Sequence, residues 1–313
     1  VTWSKGSESL RFIGPPPISE RKFVKPDNKP VWVDNALANR RDSKIFRREK
    51  KAVAALKLPD DKRTLIVGIN SQMGAGLAER LASENLPFFG TTRNIDNVSD
   101  QVIYFDLLDS DVSLPLQDFD FVIVCSAVTN IAECEYQLEK SKRVNVTKTI
   151  QLIDRCLANG CFVIYPSSNA VFDGTVPFNL PGDQPNPKSM YGFFKLAVEE
   201  HITKNADGNA AIVRFTKIIT HQSPFLRSWR ENAKMGSEIA AFQDKFFSPI
   251  PIEDAVTTLY MIMKKRRAGV FQLGGAEEIS YFDYARQVFA GDPTALRLLR
   301  AVEQPEPKSF YNL

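Results

Sequence analysis

Histidine is nearly missing from this chain: His201 and His221 are the only two in 313 residues. Neither has further ligands around it at metal-binding spacing, which argues against a zinc site. Cysteine is scarce as well. Cys125, Cys134, Cys156 and Cys161 form no CxxC pair, and Cys125 and Cys161 fall inside apolar runs. The expectation is four reduced thiols in a reducing compartment, the cytoplasm or an organelle interior. No stretch approaches the roughly 18 apolar residues that cross a bilayer. The first residues lack the apolar centre of a secretory signal.

The body of the chain also lacks positive charge. Residues 64–313 carry 24 Lys/Arg against 29 Asp/Glu, a net −5, whereas residues 1–63 carry 16 against 8, a net +8. A mildly acidic body argues against a nucleic-acid-binding core. The composition, 43% apolar and 25% charged, is that of a globular protein of one large or two smaller domains. Residues 1–62 have little regular hydrophobic period and are broken by Pro15-Pro16-Pro17, Pro26 and Pro30. A basic helix is predicted near residues 43–58, and Trp3, Phe12, Trp32 and Val33 provide apolar anchors. Two readings stand for this basic arm: a linker lying over the body, and a docking segment for a protein partner.

At Thr64 the texture changes. Thr64-Leu65-Ile66-Val67 reads as a strand, Gly68 to Gly76 as a glycine-bearing turn, and the residues through Leu77, Leu81 and Ala82 as a helix. Strand, glycine turn and helix open a dinucleotide-binding βαβ unit, in which the diphosphate rests on the helix N-terminus. Gly68, Ser71, Gln72, Met73 and Gly74 are the cofactor-binding candidates there. A second strand, Phe88–Thr92, ends at Arg93, where an acidic residue would bind the ribose 2′-hydroxyl of NAD. Hydroxyls and an arginine suit the 2′-phosphate of NADP instead, so NADP(H) is expected ahead of NAD(H). Further strands are predicted at Val102–Phe105, Phe121–Cys125, Cys161–Tyr165 and Ala210–Phe215. One helix is predicted over about 135–159, with Leu138, Val144, Ile150, Leu152 and Ile153 on its core side. Strands alternating with helices give an α/β fold, a Rossmann-type doubly wound parallel sheet. Gly68, Thr91, Asp106, Ser126 and Ser168 all fall at carboxyl ends of strands, where such sheets bind ligands. The expected division is an arm at 1–62, a nucleotide-binding domain at 63–215, and a smaller substrate lobe at 216–313, interleaved with it.

Tyr191 and Lys195 are four residues apart at the start of a predicted helix, so both lie on one face. Ser168 precedes them at the end of a strand. A phenol beside an ammonium is a proton donor, and a nearby hydroxyl can hold a carbonyl oxygen. Ser168, Tyr191 and Lys195 are therefore the catalytic candidates.

With these residues placed, the chain resembles the extended short-chain dehydrogenase/reductases, and within them the dTDP-4-dehydrorhamnose reductase group of sugar-nucleotide reductases. The resemblance covers about residues 63–310. It rests on Gly68-x-x-x-Gln72-x-Gly74, Ala127-x-Thr129-Asn130 with Cys134-Glu135, Asn145-Val146, Ser167-Ser168-x-x-Val171-Phe172-Asp173-Gly174 and Tyr191-Gly192-x-x-Lys195-Leu196. Ser248-Pro249, Glu253-Asp254-Ala255 and Pro307-Lys308-Ser309 are similar too. The resemblance implies hydride transfer from a nicotinamide to a sugar ketone. In it Tyr191 is the general acid, Lys195 lowers the tyrosine pKa and binds the nicotinamide ribose, and Ser168 holds the carbonyl oxygen. It implies cofactor contacts from Ser126, Ala127 and Asp106, and substrate contacts from Thr129, Asn130, Val171 and Phe172. The sequence departs from the pattern at Ser71, Ala132, Asn169 and Leu180, where the family has a glycine, an acid, an aspartate and a glutamate. A dehydratase would need an acid and a base at Asn169 and Ala170, so that chemistry is not expected. A nucleotide-sugar epimerase uses the same trio and stays open, as does a reductase-like, weakly active subunit of a larger assembly. The expected small-molecule partner is a nucleotide sugar; a homodimer is left open.

Overall fold

The computed structural model describes residues 2–6, 9–13, 63–108 and 114–303. The predicted basic helix, Trp32, Val33 and Pro307-Lys308-Ser309 lie outside the described residues. Near the start, strands β1 (Thr2–Gly6) and β2 (Ser9–Ile13) pair antiparallel.

The central sheet has seven parallel strands. In chain order they are β3 (Thr64–Val67), β4 (Phe88–Thr92), β5 (Val102–Tyr104), β6 (Phe121–Val124), β7 (Phe162–Ser168), β8 (Ala210–Phe215) and β13 (Gly269–Leu273), arranged in space as β13-β8-β7-β6-β3-β4-β5. The order reverses beside β3, the switch point at which doubly wound sheets open a ligand crevice. Strands covered on both faces read as unbroken apolar runs, and β3, β6 and β8 are buried throughout. Successive side chains go to opposite faces. Leu65, Val67, Val122, Val124, Val163 and Tyr165 join one core cluster, while Ile66, Phe121, Ile123, Phe162 and Ile164 join the other.

Helices α1 (Gln72–Ser83) and α7 (Ile252–Lys265) cover the second face. A Cβ at Gly76 would meet Val256 at 2.9 Å, so the glycine lets these two helices approach closely. The first face is covered by the segment from Ile131 to Ala158 and by α5 (Met190–Asn205). The single helix predicted over 135–159 is broken. It consists of α2 (Ile131–Tyr136), α3 (Leu138–Lys142), a π-helical segment at Arg143–Lys148 and α4 (Thr149–Ala158). The break at Gln137 and the π turn shift the phase of the side chains. Leu138 consequently faces solvent at 38% exposure, whereas Val144, Leu152 and Ile153 are buried as expected.

Past β8 the chain builds small sheets: β9 (Lys217–Ile219) with β12 (Pro249–Pro251), β10 (Ile239–Phe242) with β15 (Leu299–Val302), and β11 (Phe246–Phe247) with β14 (Ile279–Ser280). Helices α6 (Pro224–Met235), α8 (Tyr281–Val288) and α9 (Pro293–Leu298) complete this part. Leu226, Trp229, Ile239, Ala241, Ala285 and Phe289 form its own core, with Phe225 packed edge to face on Phe247 and on Tyr281 beside them. One strand of this C-terminal stretch, β13, returns to the central sheet beside β8.

Candidate active site

The parallel register brings the carboxyl ends of β3 to β8 to one edge, and the candidate residues collect there. The turn after β3 is tight. Gly68 has φ +88°, and a Cβ on it would lie 2.3 Å from Ser126 Oγ, so only glycine fits where this turn abuts the end of β6. The Gly68 amide donates to Thr91 Oγ1 at 3.0 Å, which ties the turn to β4. A Cβ on Gly74 would come within 2.4 Å of the Gly68 carbonyl. The first-turn amides of Gln72 and Met73 precede any intrahelical bond and are the donors that a diphosphate takes at a helix N-terminus. This geometry fits a dinucleotide.

Ser71, which stands where a glycine was expected, is the N-cap of α1. Its Oγ accepts from the Gly74 amide at 3.0 Å and donates to the Gly68 carbonyl at 2.8 Å. The hydroxyl is thus occupied within the turn and is not held out toward a phosphate. The hydroxyls at the end of β4 are likewise engaged with backbone. Thr91 and Thr92 are buried, and Thr92 Oγ1 accepts from the Asn94 amide at 3.0 Å. Arg93 is left exposed as the cation at this position. Asp106 is half-buried and accepts from the Leu108 amide at 2.9 Å, closing the turn after β5.

Ser168 ends β7, and its Oγ accepts from the Ala170 amide at 3.1 Å. Ser189 caps α5 by accepting from the Gly192 amide at 3.1 Å, and Glu135 Oε1 accepts from the Met190 amide at 2.8 Å. These two caps fix where α5 begins. A Cβ on Gly192 would lie 2.1 Å from the Ala170 carbonyl oxygen. The glycine therefore allows the first turn of α5 to sit against the residues following Ser168. Tyr191 is brought beside Ser168 as a result, near enough for the serine hydroxyl to act on the phenol.

Lys195, one turn on, is 5% exposed. Its Nζ donates to the Pro166 carbonyl at 2.7 Å and lies 4.5 Å from the Tyr165 ring centroid and 5.8 Å from that of Tyr191. Burial pushes the Tyr191 hydroxyl up to about 12, against a smaller downward pull from the Ser168 hydroxyl. Burial pulls Lys195 down to about 8, opposed first by the Glu199 carboxylate. The Lys195 ammonium is directed at the Pro166 carbonyl, and the loss of hydration around the phenol is the largest influence on Tyr191. Cys125, also near Lys195, is held as a neutral thiol, pushed by burial up to about 12.

The candidate substrate residues divide. Thr129 and Asn130 are exposed, and Asn130 caps α2 by accepting from the Glu133 amide at 3.1 Å. Val171 has no exposed surface, and Phe172 is 9% exposed with Arg214 stacked 5.1 Å from its ring centroid. Asn145, in the π segment, exchanges two 2.8 Å hydrogen bonds with the backbone of Val128 and so fixes the loop after β6.

Sequence reasoning gave no role to Asn145, Glu135, Glu199 or Arg214. A signal existed for Glu199, which lies four residues after Lys195 and eight after Tyr191 on the same helix face. The four cysteines are all free. Among the described residues no helix is long and apolar enough to cross a membrane.

The RmlD substrate binding domain family model matches residues 62–309. A dTDP-4-dehydrorhamnose reductase of Mycobacterium tuberculosis is 25% identical, over 80% of this chain and 84% of that protein. A methionine adenosyltransferase 2 subunit beta of Bos taurus is 26% identical, over 72% of this chain and 70% of that one. Among solved structures, a dTDP-4-dehydrorhamnose reductase from Bacillus anthracis in complex with NADP superposes with a TM-score of 0.66 at 19% identity, over 78% of this chain and 85% of that one. That likeness extends to the fold.

Proposed function

Because the chain belongs to the RmlD substrate-binding domain family, we propose that it is a nicotinamide-dependent reductase of a ketone on a nucleotide-bound sugar, with NADPH as the preferred carrier. The observation that carries this reading is the Ser168–Tyr191 hydroxyl pair standing beside the buried ammonium of Lys195. The relatives named dTDP-4-dehydrorhamnose reductase support the substrate class.

The bound nicotinamide would supply the hydride; the chain's own residues do the rest. The amides of Gln72 and Met73 and the Gly68 turn would hold the diphosphate, and Arg93 would face the 2′-phosphate. Ser168 and Tyr191 hold the ketone oxygen from one side. As charge develops on that oxygen, Tyr191 delivers its proton to it as general acid. Lys195 supplies positive charge in a site shielded from water, where such charge acts strongly. The part of the chain past β8, beginning at about residue 216, would receive the sugar nucleotide over the strand ends.

The test is to follow loss of NADPH absorbance with dTDP-4-dehydrorhamnose and related keto sugars. Turnover that depends on Tyr191 is the expected result. No turnover with any nucleotide keto sugar, from protein that binds NADPH, would overturn the reading.

A second reading is favoured by one observation. The relatives include proteins named methionine adenosyltransferase 2 subunit beta, 26% identical to this chain. On that reading the chain is a cofactor-holding subunit of an assembly, and the +8 segment at residues 1–63 is its docking element. Tight NADPH binding without turnover, together with a stoichiometric protein partner, is the outcome that selects it.

A further inference from the structure

Behind the Ser168–Tyr191–Lys195 trio lies a buried ion pair that the proton transfer does not itself use. Glu199, on α5 one turn after Lys195, is 3% exposed, and Arg214, on β8, is 4% exposed. Arg214 Nε donates to Glu199 Oε1 at 3.1 Å and to Oε2 at 3.0 Å, and Nη2 donates to Oε2 at 2.7 Å. Ser167, the neighbour of Ser168, donates its hydroxyl to Oε1. The other side of the guanidinium reaches outward. Nη1 donates to the Pro181 carbonyl at 3.3 Å and to Gln272 Oε1 at 3.1 Å, and Gln272 Nε2 donates to the Asn179 carbonyl at 2.7 Å.

An apolar pair of similar volume would fill this space at least as well, since two charges lose their hydration on burial and recover it only through good geometry. The placement of the pair indicates what it adds. Several groups face Lys195 from the elements around it: Tyr191 and Glu199 on its own helix, Cys134 on α2, Cys125 at the end of β6, and Tyr165 with the Pro166 carbonyl on β7. The phenols and thiols among them are neutral near pH 7. Glu199 is the one carboxylate in the set.

We propose that Glu199, clamped by Arg214 and Ser167, is a positioning residue: buried one helical turn after Lys195 and bonded to the residue next to the Pro166 carbonyl that holds Nζ, its carboxylate balances and places the Lys195 ammonium, while Arg214 ties the same unit to the 179–181 loop. The inference rests on the reading of Lys195 as a working cation. It assigns the link between the trio and that loop to a single buried charge pair.

The test is an NMR titration of the full chain carrying labelled lysine side chains, with the Lys195 signal assigned by its loss in Lys195→Met. The wild-type midpoint is expected near 8, and Glu199→Gln is expected to lower it by about one pH unit or more. Glu199→Gln leaves Arg214 buried without a counter-charge. The double variant Glu199→Gln/Arg214→Gln therefore repeats the measurement with a neutral, hydrogen-bonding pair and is expected to show the same direction of shift. The alkaline fall of kcat/KM should move down with the midpoint in both. A midpoint that stays at the wild-type position in either folded variant overturns the proposal. A midpoint that falls as expected, in a protein whose turnover is indifferent to Lys195→Met, would instead overturn the catalytic reading of Lys195 and leave the charge coupling standing.

Discussion

A phenol that must deliver a proton gains from being hard to ionise beforehand. Burial holds the Tyr191 hydroxyl at about 12, so it is fully protonated at neutral pH when a ketone arrives. Tyr191→Phe keeps the ring and removes the proton. A positioned general acid contributes typically 10²–10⁴-fold, so kcat is expected to fall by about that factor with the NADPH Kd nearly unchanged, as read by stopped turnover and fluorescence titration. Lys195 sets the pH limit. Its active form is the ammonium, and burial brings its titration down to about 8 from an ordinary 10.5. The kcat/KM of the free enzyme is therefore expected to decline as pH rises through about 8. The linkage to stability has the opposite sign. Below 8 the fold carries a buried charge that the unfolded chain would hydrate, and this penalty is relieved as pH rises from about 8 toward 10.5. Across that window the lysine's contribution to stability improves while activity declines. Arg93 gives the third residue-scale expectation. With both threonine hydroxyls of β4 bonded to backbone, Arg93→Ala should weaken NADPH binding by about tenfold, roughly 1.4 kcal/mol, and leave NADH binding unchanged.

The α5 helix shows at the scale of an element what was legible beforehand and what was not. Its Tyr–x–x–x–Lys spacing, the strand before it and the serine ending that strand are local patterns, and each was readable from apolar runs and turn residues. The closeness of Tyr191 to Ser168 depends on a non-local contact, Gly192 against the Ala170 carbonyl, which no periodicity announces. Gly192→Ala tests it. Alanine favours a helix over glycine by about 1 kcal/mol, but here its Cβ would sit 2.1 Å from a backbone oxygen. Overpacking against backbone costs about 1–3 kcal/mol. The clash is expected to win, with a lower melting temperature and a kcat loss larger than any change in NADPH affinity. The helix before α5 was misread for a related reason. A 3.6-residue period carried across 135–159 cannot register the break at Gln137 or the π turn that places Asn145 against Val128, and so it put Leu138 on the wrong side. Glu199 and Arg214 stayed invisible because charged residues read as solvated until a structure places them beside each other.

At the scale of the whole molecule, charge is segregated along the chain. Among the described residues, the two faces of the central sheet and the separate core past β8 are assembled from residues between Leu65 and Leu299. The family match begins at residue 62. The excess of basic residues lies almost wholly ahead of both, with residues 1–63 at +8 and residues 64–313 at −5. Hydrophobic burial supplies the main drive to fold, whereas a surplus of surface charge acts on solubility and association. The two properties should therefore be separable by truncation. A chain lacking residues 1–62 is expected to melt cooperatively within a few degrees of the complete chain and to bind NADPH with the same Kd, while its net charge changes from positive to negative. If the basic segment is a docking element, the complete chain and the truncated one should differ in assembly: the first elutes from a sizing column together with its partner in a salt-sensitive complex, and the second elutes alone. Equal elution of both, with equal stability, would leave the segment as a linker and would assign any partner contact to the acidic body.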